Sequence, residues 1–546
     1  MSKDIFFTPL RLGAIQLRNR IVMAPLTRMR AGAGNAPTAL NTEYYAQRAS
    51  AGLIISEGVA VSPQAQGYPS SPGIYTAEQI AGWRGVTDAV HASGGRMFMQ
   101  IQHCGRNTHS SLLPAGCLPV APSPIPPNLP GYTKDFKQVP IEVPRALETT
   151  EIPAIVESFR QAALNAVEAG FDGVEVQGAN SHLIEEFLED GTNQRTDAYG
   201  GSKENRVRFL LEIVAEVTAA IGADRVGVRL SPFGQYGGIR DSNPLELFTF
   251  VIQELDKRRL SYLHLIEAKG SEMGLTDELH EDAVNNAALF RDLFNGPLLS
   301  AAAYTPESAA LAIENKHADA IAFGRLFIAN PDLVRQIKES QPLNAYDRST
   351  FYGGGEHGYT DYKTLGQQFI IGCNLMLNTA QPNPTVERIS SRLVGVWTLV
   401  AYTEEKEGCK DTHPLGPKPV GFLMYTPDGF VSAQLMKPRR SAFQSRDWHK
   451  GTPEEYVESG SGYIAYCGTY EVDETNETVT HIPSVALLPN LIHGRQLRAI
   501  KLSGDRLTLR TPSAADADGA LVTSHLEWER AGRLSSSRDE FDVGSC

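Results

Sequence analysis

Polar side chains recur at the ends of several short apolar runs, and they are the first candidates for chemistry. Gln100 and Gln102 end one run, Gln177 and Asn180 follow another, and Arg229 lies within a third. In a barrel of alternating strands and helices, the reactive groups sit at the carboxyl ends of the strands. A single Arg or Gln there can merely complete a polar layer of the core, but the recurrence favours a site.

The elements that must position these side chains follow a repeated strand–helix pattern from residue 20 to about 340. The predicted strands are Arg20 to Leu26, Leu53 to Val59, Arg96 to Gln102, Gly173 to Gly178, Arg225 to Ser231, Tyr262 to Glu267, Pro297 to Ala303 and Ala320 to Arg325. The predicted helices are Thr42 to Ser50, Ala77 to Ala92, Glu151 to Ala169, Lys203 to Ile221, Pro244 to Lys257, Thr305 to Asn315 and Asn330 to Glu339. This pattern predicts an α/β fold, a (β/α)8 TIM barrel.

A second composition begins near Gln381-Pro382-Asn383-Pro384, where two prolines resist helix and strand and indicate a linker. The predicted strands beyond it are Leu393 to Tyr402, Val420 to Tyr425, Phe430 to Met436, Ser461 to Glu471, Thr478 to Ile482, Gln496 to Leu502, Arg506 to Arg510 and Ser524 to Arg530. We therefore predict a barrel domain over 1–380, a linker over 381–389, an all-β barrel over 390–533 and a disordered tail over 534–546.

Composition excludes several classes of protein. The 546 residues are 42% hydrophobic and carry a formal charge of −13 without a basic stripe, so nucleic acid and anionic membrane are poor partners. No apolar run is long enough to cross a bilayer, and the first residues lack the layout of a secretory signal, which predicts a cytoplasmic protein. The six cysteines show no CxxC spacing, and the histidines form no metal constellation, so no metal is expected.

Several motifs resemble the old yellow enzyme family of FMN-dependent ene-reductases. The matching stretches are Asn19 to Arg28, Glu57-Gly58, Gly67-Tyr68, Asn193 to Arg206, Arg229 to Phe233, Phe323 to Pro331 and Gly358 to Tyr362. They span nearly all of residues 5 to 365, and their combination is highly specific. The resemblance implies FMN as the cofactor, NAD(P)H as the reductant and a small-molecule substrate.

The resemblance also implies residue roles, which flavin chemistry supports. A fixed cation near the reduced flavin stabilises its negative charge, and Arg229 is the implied cation. Thr27 and Gln100 would bind the ring, and the backbones of Pro25 and Gly58 would complete the cradle. Gly324 and Arg325 would hold the phosphate. Tyr68, Tyr236 and Tyr359 would line the substrate side, although ordinary aromatic packing explains Tyr236 equally well.

The strand-four motif departs from the family. Where the family has a His-Asn or His-His pair and then a Tyr proton donor, this chain has Gln177, Asn180 and His182. Two amides can still bind an enone oxygen, although more weakly than imidazole. His182, with an ordinary pKa near 6.5, could deliver the proton, act as a base in an isomerisation or cyclisation, or only line the pocket.

Two further departures concern the pocket and the phosphate site. Gln102 replaces a Trp that is common in the family, which opens space and predicts a substrate other than a simple cyclic enone. Ala302 and Ala303 stand where the family has a Gly pair beside the phosphate, and each added methyl narrows the backbone's freedom.

The C-terminal segment, residues 390 to 532, resembles lipocalin-like domains. The resemblance rests on Leu393 to Trp397, where Gly-x-Trp opens the first strand, and on Gly421 to Gly429. It implies a small barrel that could hold an apolar ligand, and a dimerisation or stability module is an equal alternative. The chain could be a monomer or a homodimer.

The leading hypothesis is reduction of an activated C=C bond of a secondary metabolite, with Gln177 and Asn180 holding the carbonyl and His182 or water supplying the proton. One alternative is a redox-neutral isomerase or cyclase that uses the altered Gln177, Asn180 and His182 site. Another is a ligand-binding protein without cofactor, suggested by Ala302 and Ala303 alone.

Overall fold

The computed structural model describes residues 3–269, 280, 282–365, 389–406, 412–427, 429–445, 449–474, 476–492, 494–515 and 520–531. The chain divides into two compact units, Met1–Thr379 and Ala380–Cys546. Residues 381–388 of the predicted linker and the whole predicted tail lie outside the described residues. No helix in the described parts of the chain is long and apolar enough to cross a membrane.

Eight parallel strands close the barrel of the first unit, which confirms the predicted fold. They are β1 (Ile21–Met23), β2 (Leu53–Ile55), β3 (Met97–Gln102), β4 (Gly173–Gly178), β5 (Val226–Leu230), β6 (Tyr262–Ile266), β7 (Leu298–Ala301) and β8 (Ala320–Phe323). Each strand pairs with the next, and β8 pairs with β1 to close the ring. A short strand, Val59–Ala60, pairs beside β3.

Helices cover the outside of this barrel. They are α1 (Ala39–Gln47), α2 (Ala77–Ala92), α3 (Ile152–Glu168), α4 (Leu183–Leu188), α5 (Lys203–Ile221), α6 (Pro244–Asp256), α7 (Asn286–Phe290), α8 (Pro306–Glu314), α9 (Arg325–Ala329) and α10 (Leu333–Lys338). Every residue of β4 is buried, because side chains of a parallel barrel strand meet either the interior or the helix layer. Short pairs join Leu10–Leu12 to Ile15–Leu17, Val120–Ala121 to Arg145–Ala146, and Pro130–Tyr132 to Gln138–Pro140.

The second unit is an antiparallel barrel, as predicted. Its strands are β9 (Gly395–Lys406), β10 (Val420–Tyr425), β11 (Phe430–Met436), β12 (Tyr463–Asp473), β13 (Thr478–Ala486), β14 (Gln496–Ser503), β15 (Arg506–Arg510) and β16 (Leu521–Arg530), with a short strand Ala514–Ala515 beside β16. The barrel closes because β9 pairs with both β10 and β16. Helices α11 (Ile389–Leu393) and α12 (Pro453–Ser461) accompany it. Trp397 and Trp528 are buried in its core.

Candidate active site

A cavity of about 730 Å³ opens at the carboxyl ends of the first barrel's strands. Most of the residues predicted from the sequence line it together: Pro25, Thr27, Gln100, Gln102, Gln177, Asn180, His182, Arg229, Tyr236, Ala302, Ala303, Gly324 and Arg325. Gly58, Tyr68 and Tyr359 do not line it. The folded chain therefore brings together polar groups that are up to 300 residues apart in sequence, as a strand-end site requires.

Arg229 supplies a buried positive charge to this cavity. Its Cα pairs with that of Gln177 in the register of β4 and β5, so the two side chains are neighbours. Arg229 is only 8% exposed, and its Nε has no hydrogen-bond partner among the described residues. Burial lowers the pKa of Arg229, while the carboxylate of Glu175 opposes that shift. A guanidinium with an unused donor is suited to stabilising negative charge on a bound group.

Glu175 does not itself line the cavity, but it contacts three buried side chains around it. It accepts from Nε2 of Gln100 at 2.8 Å and from the hydroxyl of Tyr262 at 3.1 Å, and it contacts Nδ1 of His264 at 2.8 Å. Burial works to raise the pKa of Glu175, yet His264 and Arg229 hold it below its ordinary value. The carboxylate therefore stays ionised and fixes the amide of Gln100.

The amides of Gln177 and Asn180 face the cavity from the end of β4. Oε1 of Gln177 lies 3.4 Å from Nε2 of Gln100, which leaves the Gln177 amide nitrogen as a donor for a ligand. Asn180 and the next residue, Ser181, both have positive φ, at 59° and 57°. Such backbone costs free energy in residues other than glycine, so neighbouring groups must hold it in place.

Glu185 on α4 provides that support and was missed by the sequence analysis. Its carboxylate accepts a 2.5 Å hydrogen bond from the backbone N–H of Ser181 and another from the hydroxyl of Ser231. The Ser231 hydroxyl in turn accepts from the backbone N–H of Asn180 at 3.0 Å. Burial raises the pKa of Glu185. Glu185 and Ser231 thus anchor the turn that presents Asn180.

His182 is buried at the cavity wall, which favours the alternative that it lines the pocket over the alternative that it donates a proton at neutral pH. Burial lowers its pKa to about 4, although the contact with the Ala179 carbonyl works the other way. Nδ1 of His182 lies 3.1 Å from that carbonyl oxygen and donates to it, so Nε2 carries the lone pair. Nε2 has no partner among the described residues. The ring is thus a hydrogen-bond acceptor towards the cavity.

The opposite side of the cavity carries the predicted phosphate site. Strands β7 and β8 are neighbours, so the loops that follow them lie side by side and bring Ala302 and Ala303 near Gly324 and Arg325. Ala302 and Ala303 have φ of 79° and 59°, a region that glycine enters freely and alanine only at a cost. This turn therefore has the left-handed backbone conformation that glycine favours, although alanine occupies both positions.

Two predicted residues lie behind the cavity wall. A Cβ added to Gly58 would sit 2.1 Å from Oε1 of Gln102, so this glycine allows the Gln102 side chain to pack against the backbone. Burial raises the pKa of Tyr68, and the proximity of Tyr236 adds to the shift, which places Tyr68 beside a residue that does line the cavity.

Tyr359 lies away from the cavity, so its assignment to the substrate pocket is wrong. It is fully buried, its ring stacks on Tyr44 at 3.9 Å, and its hydroxyl accepts a hydrogen bond from Asn41. Phe351 and Tyr352 line the cavity instead. Their position follows from Arg28, a buried arginine whose guanidinium donates to the carbonyls of residues 350, 351 and 358. Only the folded chain shows which of these aromatic residues faces the cavity.

The donor set of the cavity fits the FMN cradle implied by the sequence. Arg229 Nε, which has no partner among the described residues, would be a donor for the anionic edge of a flavin ring, and the fixed Gln100 amide would present its oxygen to a ring N–H. The left-handed turn at Ala302 and Ala303, next to Arg325, borders the region expected for the phosphate. Across the described residues, no group of three or more His, Cys, Asp or Glu side chains could hold a metal ion.

Comparison with known proteins identifies a family model for each unit of the chain. The model of the NADH:flavin oxidoreductase / NADH oxidase family matches residues 5–344, and that of a lipocalin-like domain matches residues 394–531. A 12-oxophytodienoate reductase 1 from Oryza sativa subsp. japonica is 44% identical over 361 residues, which are 66% of this chain and 92% of the relative.

Solved structures show the same similarity for the first unit. Morphinone reductase is 46% identical with a TM-score of 0.63, over 67% of this chain and 98% of that chain. An old yellow enzyme homologue from Zymomonas mobilis is 43% identical with a TM-score of 0.63, over 66% of this chain and 99% of that one. Morphinone reductase has also been solved in complex with tetrahydroNAD, a nicotinamide analogue.

Proposed function

Because the chain belongs to the NADH:flavin oxidoreductase / NADH oxidase family, we propose that it is an FMN-dependent ene-reductase that reduces a carbonyl-activated C=C bond with NAD(P)H. The observation that carries this proposal is the arrangement of three groups around one cavity: the Arg229 guanidinium and the amides of Gln177 and Asn180. The Arg229 guanidinium is a fixed cation suited to a reduced flavin, and the two amides are neutral donors suited to an enone oxygen.

The residues proposed to hold FMN are Pro25, Thr27, Gly58, Gln100, Arg229, Ala302, Ala303, Gly324 and Arg325. Arg229 and Gln100 would bind the ring, and the backbone around Gly324 and Ala302 would bind the phosphate. Gly58 would act indirectly, because the absence of a side chain there allows Gln102 to pack closely against the backbone. The chemistry that FMN would supply, when held by these residues, is hydride transfer from the nicotinamide to the substrate.

Gln177 and Asn180 would donate hydrogen bonds to the substrate carbonyl. As hydride arrives at the β carbon, negative charge develops on that oxygen, and fixed donors stabilise the charge. Glu185 and Ser231 hold the Asn180 backbone, and Gln100 holds the Gln177 amide, so neither donor has to reorganise during the reaction. These contacts compensate in part for the missing imidazole of the family.

The α carbon would take its proton from water. His182 is neutral, its one N–H donates to Ala179, and Nε2 can only accept. An imidazole with a pKa of about 4 is also a weak base, so the same observation removes the support for a redox-neutral isomerase or cyclase. The relatives named above are reductases. The cofactor-free carrier loses its support because the donors expected for FMN are present.

The substrate class is proposed to be an oxo compound of secondary metabolism. The relatives' names refer to 12-oxophytodienoate and to morphinone, each an oxo compound by its name. The wall here is more polar than the family resemblance implies, because Gln102 and Gln177 replace a Trp and a His. Tyr236, Phe351 and Tyr352 are among the aromatic residues of this wall. We therefore expect a substrate that carries polar substituents besides its enone.

The test is an anaerobic two-step experiment on the FMN-loaded protein. NADH or NADPH should bleach the flavin absorbance, and members of an α,β-unsaturated ketone panel should restore it with formation of the saturated ketone. Asn180→Ala should slow the second step about a hundredfold, the effect of removing one donor from an oxygen that gains negative charge. The surface variant Asn295→Ala should match the wild type. A flavin that neither nicotinamide bleaches, or that no acceptor reoxidises, would refute the proposal.

A further inference from the structure

The interior of the second barrel contains a small cavity that is separate in the chain from the flavin site. Its volume is about 90 Å³. Its apolar lining residues come from β10, β11, β12, β15 and β16, and they are Leu423, Ala433, Leu435, Ile464, Leu509 and Leu526. The polar members are Tyr402, Tyr466, His481, Arg498, Thr511, Ser524 and Trp528. Tyr402, Tyr466, His481 and Ser524 have hydrogen-bond partners within the barrel, so the group that calls for a further partner is the buried indole of Trp528.

Trp528 carries an indole N–H without an acceptor. Its side chain is only 1% exposed, and Nε1 has no hydrogen-bond partner among the described residues. The other two described tryptophans both use this group: Trp83 donates to the Gly73 carbonyl and Trp397 to that of Leu393. Because an indole N–H is only ever a donor, an acceptor must come from a ligand or water.

Arg498 brings a positive charge to the same space. It lies on β14, in alternation with the buried Ile500, so its side chain starts on the inward face. Its guanidinium donates to the carbonyl of Leu497 and is hydrogen-bonded to Tyr466, and the ion pairs found among the described residues do not include Arg498. The nearby Glu404 instead accepts from the hydroxyl of Tyr402. Arg498 is half-buried, and a guanidinium without a carboxylate partner at a cavity wall is available to pair with an anion.

His481 holds two tyrosine hydroxyls in place and adds no charge to the cavity. Its two ring nitrogens contact the hydroxyls of Tyr425 at 2.7 Å and Tyr466 at 2.8 Å, and one of each pair must donate to the other. Burial lowers its pKa to about 3, and the proximity of Arg498 adds to this, so the ring is neutral near pH 7. The Tyr466 hydroxyl is thereby held in place at the cavity wall, and Arg498 supplies the local positive charge.

We propose that the second barrel binds a small carboxylate, whose oxygens accept from the Trp528 indole N–H and pair with the Arg498 guanidinium. Both groups donate only, so the complementary ligand is an acceptor with negative charge. The short apolar tail of the acid would pack against Leu423, Leu435 and Ile464. The volume suits roughly three waters or an acid of a few carbons. This site does not depend on the proposed reductase activity.

The test uses the full-length FMN-loaded protein at pH 7 and follows the tryptophan indole N–H resonances by NMR. Trp528→Phe identifies the resonance of Trp528 by its disappearance. Titration with sodium butyrate should shift that resonance saturably, whereas butyramide, of the same shape but uncharged, should not. Sodium chloride at equal ionic strength is the reference.

Variants of Arg498 test whether butyrate binding needs the positive charge of this side chain or only the shape of the cavity. Arg498→Met should weaken butyrate binding at least tenfold, and Arg498→Lys should retain most of it. Arg510→Met, which removes an exposed arginine of the neighbouring strand β15, should bind like the wild type. Equal shifts with butyramide, no saturable shift with butyrate, or unchanged binding in Arg498→Met would each overturn the proposal and leave water as the occupant.

Discussion

Nε2 of Gln100 donates a 2.8 Å hydrogen bond to Oε1 of Glu175, beneath the floor of the main cavity. The carboxylate can only accept, so it fixes the orientation of the Gln100 amide and turns the amide oxygen to the cavity side. The same nitrogen lies 3.4 Å from Oε1 of Gln177, so the orientation passes on to the candidate carbonyl-binding residue. The buried carboxylate of Glu175 thereby positions both Gln100, which is proposed to bind the flavin, and Gln177, which is proposed to bind the substrate carbonyl.

Glu175→Gln should weaken FMN binding about tenfold, because an amide N–H would face the donating Nε2 of Gln100 or the hydroxyl of Tyr262 and force a rearrangement. The measurement is the dissociation constant from titration of the FMN-free protein. Glu216→Gln, a change on the outer surface of α5, is the control. Unchanged FMN affinity in Glu175→Gln would show that the carboxylate does not orient Gln100.

Arg229→Met should make the midpoint potential of the bound flavin more negative. Removing a donor from a site of developing negative charge costs about 3 kcal/mol, which for a two-electron couple is about 60 mV. A redox titration with a reference dye measures this. Arg225→Met removes a guanidinium that bonds the carbonyl of Asp172 at the opposite end of β5, and the potential should then stay unchanged. Equal potentials in wild type and Arg229→Met would contradict the assignment.

Ala302→Gly should stabilise the protein by about 1 kcal/mol, because glycine adopts the positive φ of 79° without the steric cost that alanine bears. Urea unfolding of the FMN-free protein measures the change. Ala301→Gly is the matched control with the opposite sign, since Ala301 is buried in β7 and glycine there loses strand order and packing. Destabilisation by both changes would show that the turn at residue 302 carries no strain.

His182→Gln should flatten the acid side of the stability curve. The folded pKa of about 4 lies below the ordinary value of 6.5. As pH falls from 6.5 towards 4, the unfolded chain takes up a proton at His182 and the folded chain does not, so stability falls by up to about 1.4 kcal/mol per pH unit. Above pH 6.5 this penalty is absent.

Burial also lowers the pKa values of His103 and His481, so these residues contribute to the same pH dependence. The difference in unfolding free energy between wild type and His182→Gln isolates the contribution of His182. Unfolding free energies at several values between pH 4.5 and 7.5 measure it. His413→Gln removes an exposed histidine and should follow the wild-type curve. Parallel curves for wild type and His182→Gln would mean that His182 is protonated alike in both states.

The sequence by itself determined both barrels and thirteen of the residues that line the main cavity. Alternation of short apolar runs with helical periods is a local property, and it predicted the β4 strand at Gly173–Gly178 with its observed bounds. In a (β/α)8 barrel every strand end reaches the same rim, so Gln100, Gln177 and Arg229 meet there once the fold is known. The sequence predicted a strand through Ala303, whereas the strand ends at Ala301 and the left-handed turn at Ala302 and Ala303 is visible only in the folded chain.

Tertiary structure alone decided which side chains face the cavity and in what protonation state. Tyr352 rather than Tyr359 lines it, because Arg28 binds carbonyls on either side of this loop and sets its path. His182 is neutral because the surrounding chain removes water from the ring and offers Ala179 as its acceptor. The supporting role of Glu185 and the unpartnered indole of Trp528 depend on contacts between distant strands. Burial and long-range pairing are properties of the folded chain, and no local pattern encodes them.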